Sequence, residues 1–137
     1  MLESSIFMSA LAINFLIPFL LGSLIFFTTI VAPNIFKNLN QKNSRIFIRS
    51  IFPKLYIWAG AISFIITILI FPINAFHSFV FFIITFGYFF SKLYLMKKIN
   101  LASDNKKHSE FKKLHTFSVL IFSGQILLMV YVFLSNY

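Results

Sequence analysis

The chain has 137 residues, of which 59% are hydrophobic, 20% aromatic and only 11% charged, with a mean hydropathy of +0.89. Soluble domains run near half apolar and about a quarter charged, so a water-facing globular fold is excluded, and so is disorder. The absence of cysteine removes any disulfide framework, thiolate metal site or CxxC redox pair, and leaves a single integral membrane domain over residues 1–137.

Residues 4–36 carry no formal charge. A bilayer core of about 30 Å takes roughly 20 helical residues, so this stretch is one span, placed over residues 7–32. Glu3 stands where a signal peptide has a basic region, and the apolar run is too long for one, so the segment reads as a retained first span. Asn14, Pro18, Gly22, Thr29 and Ala32 fall within about one face of it.

The first loop then brings Lys37, Lys42, Arg45, Arg49 and Lys54, with Phe36, Leu39, Phe47, Ile51 and Leu55 interleaved. Basic amphipathic segments lie in the membrane interface and attract anionic lipid. Anionic lipid at the cytoplasmic face is accordingly an expected partner, alongside a purely topological role for these charges.

The next uncharged stretch, residues 55–91, would measure about 55 Å as one helix. That is too long for one crossing and suits two short ones, broken at Phe71-Pro72-Ile73-Asn74, where Pro and Asn supply turn chemistry. The predicted spans are 55–71 and 76–96. Ala59, Ser63 and Thr67, with Gly60 beside them, form a ladder of small residues on the first; Ser78 and Thr85 share a face of the second. A third loop carries most of the remaining lysines, and the last span covers residues 114–134. On it His115, Ser118 and Gln125 share a face with Phe111, Phe122 and Met129.

Continuous rather than alternating apolar runs select helices over a barrel, so the fold class is all-α: a four-span transmembrane helix bundle. All twelve basic residues lie on one side of it. The positive-inside rule makes that side cytoplasmic and puts both termini outside, in a bacterial cytoplasmic (inner) membrane. Tyr56, Trp58 and Tyr94 are expected at the inner interface, and Tyr131 and Tyr137 towards the outer one. A net charge of +9 would suggest nucleic acid in a soluble protein; this distribution assigns the charge to topology, and no nucleic acid partner is expected.

The polar stripes either pack the bundle together through small residues and hydrogen bonds or line a ligand path. Their depths suggest that spans one and four meet, with Thr29 and Pro33 level with His115 and Gly22 level with Gln125. That arrangement forms a narrow inward-opening cleft with Phe36 and Phe52 near its mouth. The candidate cleft residues are thus His115, Ser118, Gln125, Asn14, Gly22, Thr29 and Pro33. No mid-span Asp, Glu, Lys or Arg is present, which argues against an ion-coupled carrier. There is no carboxylate pair, Ser/His/Asp grouping, HExxH or phosphate loop, so no catalytic residue, metal ligand set or cofactor is assigned. His77 and His108 are expected to be solvated. His77 and His115 lie near opposite membrane surfaces and cannot ligate one iron together.

Certain residues carry a resemblance. Gly22-Ser-Leu-Ile-Phe26-Phe27 followed by Val31-Ala32-Pro33-Asn34-Ile35-Phe36, then Ile51-Phe52-Pro53-Lys54-Leu55-Tyr56, then Ile99-Asn100-Leu101-Ala102-Ser103-Asp104, and finally Phe111-Lys-Lys-Leu114-His115-Thr-Phe-Ser118, together resemble the transmembrane protein 205-like family. Ser103 stands where that family tends to have Arg. The resemblance implies a small four-span membrane protein, many of them bacterial domains of unknown function, and no reaction. The reading is therefore a non-enzymatic multi-pass protein serving small-molecule or metal tolerance or assembly, with a second copy or another membrane protein open as partner. The alternative is a haem- or metal-dependent membrane oxidoreductase centred on His115.

Overall fold

The computed structural model describes residues 1–137 and contains helices without strands. Four of them are long and apolar enough to cross a membrane: α1 (Leu2–Asn38), α2 (Gln41–Ile70), α3 (Ala75–Asp104) and α4 (His108–Leu134). Their lengths exceed what a bilayer core requires, because the charged segments continue the helices instead of forming loops. The expected first loop is interrupted only at Leu39 and Asn40. The Asn40 side chain accepts the Asn43 N–H at 2.8 Å and so caps α2. Ser44, buried behind that turn, donates its hydroxyl to the Leu39 carbonyl at 3.1 Å.

At the other end of the bundle, Phe71-Pro72-Ile73 form a turn, and Asn74 caps α3 by accepting the N–H groups of Phe76 and His77 at 3.0 and 3.1 Å. The third break is a tight turn at Asn105–Lys107. The N–H of Lys107 bonds the Ala102 carbonyl at 2.9 Å and that of Lys106 the Ser103 carbonyl at 3.2 Å. These two bonds make a Schellman stop with Lys106 in the left-handed position usually given to glycine, at φ 54°.

The apolar core runs along Ile13, Ile17, Leu20 and Leu24 of α1, Ala59, Ile62, Ile66 and Ile70 of α2, Phe81, Ile84 and Tyr88 of α3, and Met129 and Val132 of α4. The α1 residues recur every three to four positions, one buried face of a helix. The Asn14–Gly22–Thr29 stripe lies just beside it and is exposed. Large side chains outside the core, among them Phe15, Phe64, Phe79, Phe82 and Leu127, face outwards, as a lipid solvent permits.

Between α2 and α3 the small-residue ladder is the packing surface. Ala59 and Ser63 are fully buried. Thr85 Oγ1 lies 3.0 Å from Ser63 Oγ, and Ser78 donates to the Thr67 carbonyl at 2.8 Å. A Cβ on Gly60 would stand 2.9 Å from the Phe89 ring, so glycine is what lets that ring lie against α2.

Two helices carry a widened π turn, Phe27–Val31 in α1 and Ser91–Leu95 in α3. The turn adds a residue to the local repeat. In α1 the buried positions run 13, 17, 20, 24, 27 and then 35, one later than an unbroken pattern would give. Thr28 and Thr29 donate to the Leu24 and Ile25 carbonyls at 2.9 and 2.7 Å, giving carbonyls beside the π turn a side-chain partner.

Candidate functional site

The buried residues of α4 are Gln125, Met129 and Val132. All three belong to its C-terminal half, so α4 closes onto the core there and stands away from it towards His108. The result is a cavity of about 1200 Å³ at the basic end of the bundle, walled by all four helices. This exceeds the roughly 300–1,000 Å³ of ordinary small-ligand pockets.

From α1 come Thr28, Ala32 and Phe36. From α2 come Arg45, Arg49, Phe52 and Tyr56, at i, i+4, i+7 and i+11 on a single helical face. From α3 come Met96, Asn100 and Ser103, and from α4 His108, Phe111, His115, Ser118, Phe122 and Ile126. Aromatic contacts floor it. Phe27 meets Phe52 edge-on at 5.4 Å, Phe52 lies 6.1 Å from Tyr56, and Tyr56 lies 6.5 Å from Tyr88. Tyr56 is buried in this chain of rings. Trp58 and Tyr94 present about half their surface outwards.

Of the seven candidate cleft residues, His115 and Ser118 line the cavity. His115 stacks on Phe111 at 5.8 Å, and Ser118 donates to the His115 carbonyl at 2.7 Å. The other five lie elsewhere. Gly22, Thr29 and Pro33 are exposed, and no side chain approaches within 4 Å of where a Cβ on Gly22 would be. The apolar face of α1 takes the core in place of this stripe, and beyond the π turn Thr28 and Ala32, rather than Thr29 and Pro33, face the cavity. Asn14 accepts a hydrogen bond from the Tyr137 hydroxyl, tying the two termini together. Gln125 turns to α3: its Nε2 donates to the Ile84 carbonyl at 2.9 Å, and a Cβ on Gly87 would fall 2.6 Å from that nitrogen. The expected Gly22–Gln125 pairing is replaced by one between Gly87 and Gln125.

The histidines also divide differently from expectation. His108 is exposed in the cavity wall. His77 is buried rather than solvated, edge-on to Tyr131 at 5.7 Å, because Tyr131 of α4 closes over the first turn of α3. No three His, Asp or Glu side chains gather closely enough to hold a metal ion.

The charged feature missing from the sequence reading is the pair Arg49–Asp104. The Arg49 guanidinium grips both carboxylate oxygens, at 2.6 and 3.2 Å, in the bidentate geometry suited to arginine. Its hydrogen bond holds the exposed Asp104 carboxyl below the usual carboxylate range. With only three acids in the chain, Asp104 among so many bases was the available signal.

Residues 15–108 match the family described as Domain of unknown function (DUF4149). The chain belongs to that family. The matched region takes in the α1, α2 and α3 walls of the cavity and ends as α4 begins, so this DUF4149 chain builds its fourth wall beyond the matched segment. Searches of curated proteins and of solved structures returned no match.

Proposed function

We propose that this DUF4149 protein is a non-enzymatic multi-pass protein of the bacterial cytoplasmic membrane that holds a membrane-soluble amphiphilic molecule in its inward-facing cavity. The observation that carries this reading is the cavity itself: apolar in depth, polar at the basic end, and walled by every helix. The positive-inside rule assigns that end to the cytoplasm and both termini to the outside. Sequestering such a molecule would serve small-molecule tolerance. The likeness to the transmembrane protein 205-like family belongs to the same reading, since Phe111, His115 and Ser118 of its last-span element stand in the α4 wall.

A binding rather than catalytic role is supported by how the wall's polar groups are occupied. The hydroxyls of Ser44 and Ser118 donate to backbone carbonyls, and no Asp or Glu lies among the cavity residues to orient His108 or His115 as a catalytic base. Native mass spectrometry of the purified protein is the test. A one-to-one adduct of lipid-like mass is expected, and it should be lost when Ser118→Phe and Ser123→Phe fill the cavity. An adduct that persists unchanged in the filled variant, or no adduct at all, overturns the reading. A haem absorbance band abolished by His115→Ala would replace it with the oxidoreductase.

A further inference from the structure

The cavity walls are cationic at one end and nowhere anionic. Arg45, Arg49, Lys106, His108 and His115 line it, and no Asp or Glu does. Arg49 is already neutralised by Asp104. Arg45 lies near enough to Asp104 to help hold its carboxyl down, but neither Arg45 nor Lys106 has an acid within ion-pairing distance, and neither side chain makes a hydrogen bond. They reach the same mouth from different elements, Arg45 from α2 and Lys106 from the turn between α3 and α4.

The backbone at Lys106 adds a separate observation. Its φ of 54° is a conformation that glycine adopts freely and a side chain resists. The Schellman stop would form more comfortably with glycine, yet a lysine occupies the position and lines the cavity. Strain retained at such a place is often tied to what the side chain does. Below the two cations the walls become apolar, through Ile48, Phe52, Met96, Phe111 and Phe122.

Resting on the cavity reading above, we infer that the occupant is an anionic phospholipid drawn from the adjoining leaflet. Arg45 and Lys106 hold its phosphate at the mouth, and its acyl chains lie along the aromatic walls. The Arg49–Asp104 pair leaves Arg49 no free charge for the ligand and instead ties α2 to α3 beside the headgroup.

The test is competitive native mass spectrometry in neutral detergent, with equimolar phosphatidylglycerol and phosphatidylcholine of identical chains. Two basic residues at a membrane surface should favour the anionic lipid by on the order of 30-fold. Arg45→Gln with Lys106→Gln should bring the ratio near one while the total lipid bound stays similar. Lys42→Gln with Lys112→Gln, outside the cavity, should leave the preference intact. Should the double variant not fold, Lys106→Gly relieves the strained turn and should still lose several-fold of the preference. Equal retention of both lipids by the native chain, or a preference that survives loss of Arg45 and Lys106, overturns the headgroup assignment and leaves the cavity reading standing. Retention of neither lipid removes the cavity reading and this inference together. Displacement of phosphatidylglycerol by inorganic phosphate alone identifies a soluble anion as the occupant and overturns the lipid.

Discussion

A single interhelical hydrogen bond illustrates how polar residues act in this bundle. Gln125 is buried, donates to the Ile84 carbonyl, and fills the space that Gly87 leaves open. Interhelical hydrogen bonds in membranes contribute about 0.6 kcal/mol on average and up to roughly 2, so Gln125→Leu should destabilise modestly in mixed-micelle unfolding. Gly87→Ala should cost more, about 1–3 kcal/mol, because the new methyl collides with the amide. Its cost should shrink sharply in a Gln125→Ala background, giving a coupling well above the few tenths expected of independent sites. Equal costs in both backgrounds would contradict the contact. Helical phase made the face of Gln125 legible in the sequence but not its partner. A backbone carbonyl has no sequence signature, and the glycine across from it was the one available clue. The α1 stripe misled for a related reason. Asn14, Gly22 and Thr29 share a face, but in lipid a polar or small face need not turn inwards when an adjacent face of Ile and Leu packs better.

At the scale of elements, the charged segments are the instructive case. They read as loops because charge ends a membrane span, yet charge does not end a helix, and only Leu39-Asn40 and Asn105–Lys107 interrupt the backbone. The second interruption makes a stability prediction. Lys106→Gly should stabilise the protein by about 1 kcal/mol, since a left-handed conformation costs an L-residue roughly 1–2, while weakening lipid preference. A destabilised Lys106→Gly would mean the side chain contributes more to the fold than the turn costs. The Arg49–Asp104 pair joins the same region to α2 and carries a pH dependence. Its carboxyl titrates below the ordinary value of 3.8. The contribution is therefore complete above that value in the unfolded chain and is lost as pH falls through the lower, folded one. Spin labels on Arg45 and Lys98 positions should report a fixed separation down through the ordinary carboxyl value of 3.8, broadening only as pH falls further, through the lowered value of the folded carboxyl. Asp104→Asn should show the broad distribution at every pH.

For the molecule as a whole, charge and hydropathy carried most of the architecture. Three long uncharged stretches and one Pro-Ile-Asn turn were enough to number the helices, because lipid leaves the backbone few alternatives. The π turns and the outward lean of α4 were not legible; they arise from how the four helices share one core. Orientation depends on charge alone and is open to a direct test. All twelve basic residues gather at the cavity end, so that end should face the cytoplasm, with residues near both termini outside. The chain has no cysteine, which allows single cysteines to be introduced without altering any native residue of that type. Ser4 and Ser135 are exposed beside the termini, and Lys112 is exposed at the start of α4. A membrane-impermeant maleimide should label Ser4→Cys and Ser135→Cys in intact cells. It should reach Lys112→Cys only after permeabilisation. Removing basic residues from one end should then weaken the bias, because the rule counts Lys and Arg flanking the spans and gives acids little weight. Labelling of Lys112→Cys in intact cells would reverse the orientation and open the cavity to the outside, where the lipid it meets belongs to the other leaflet.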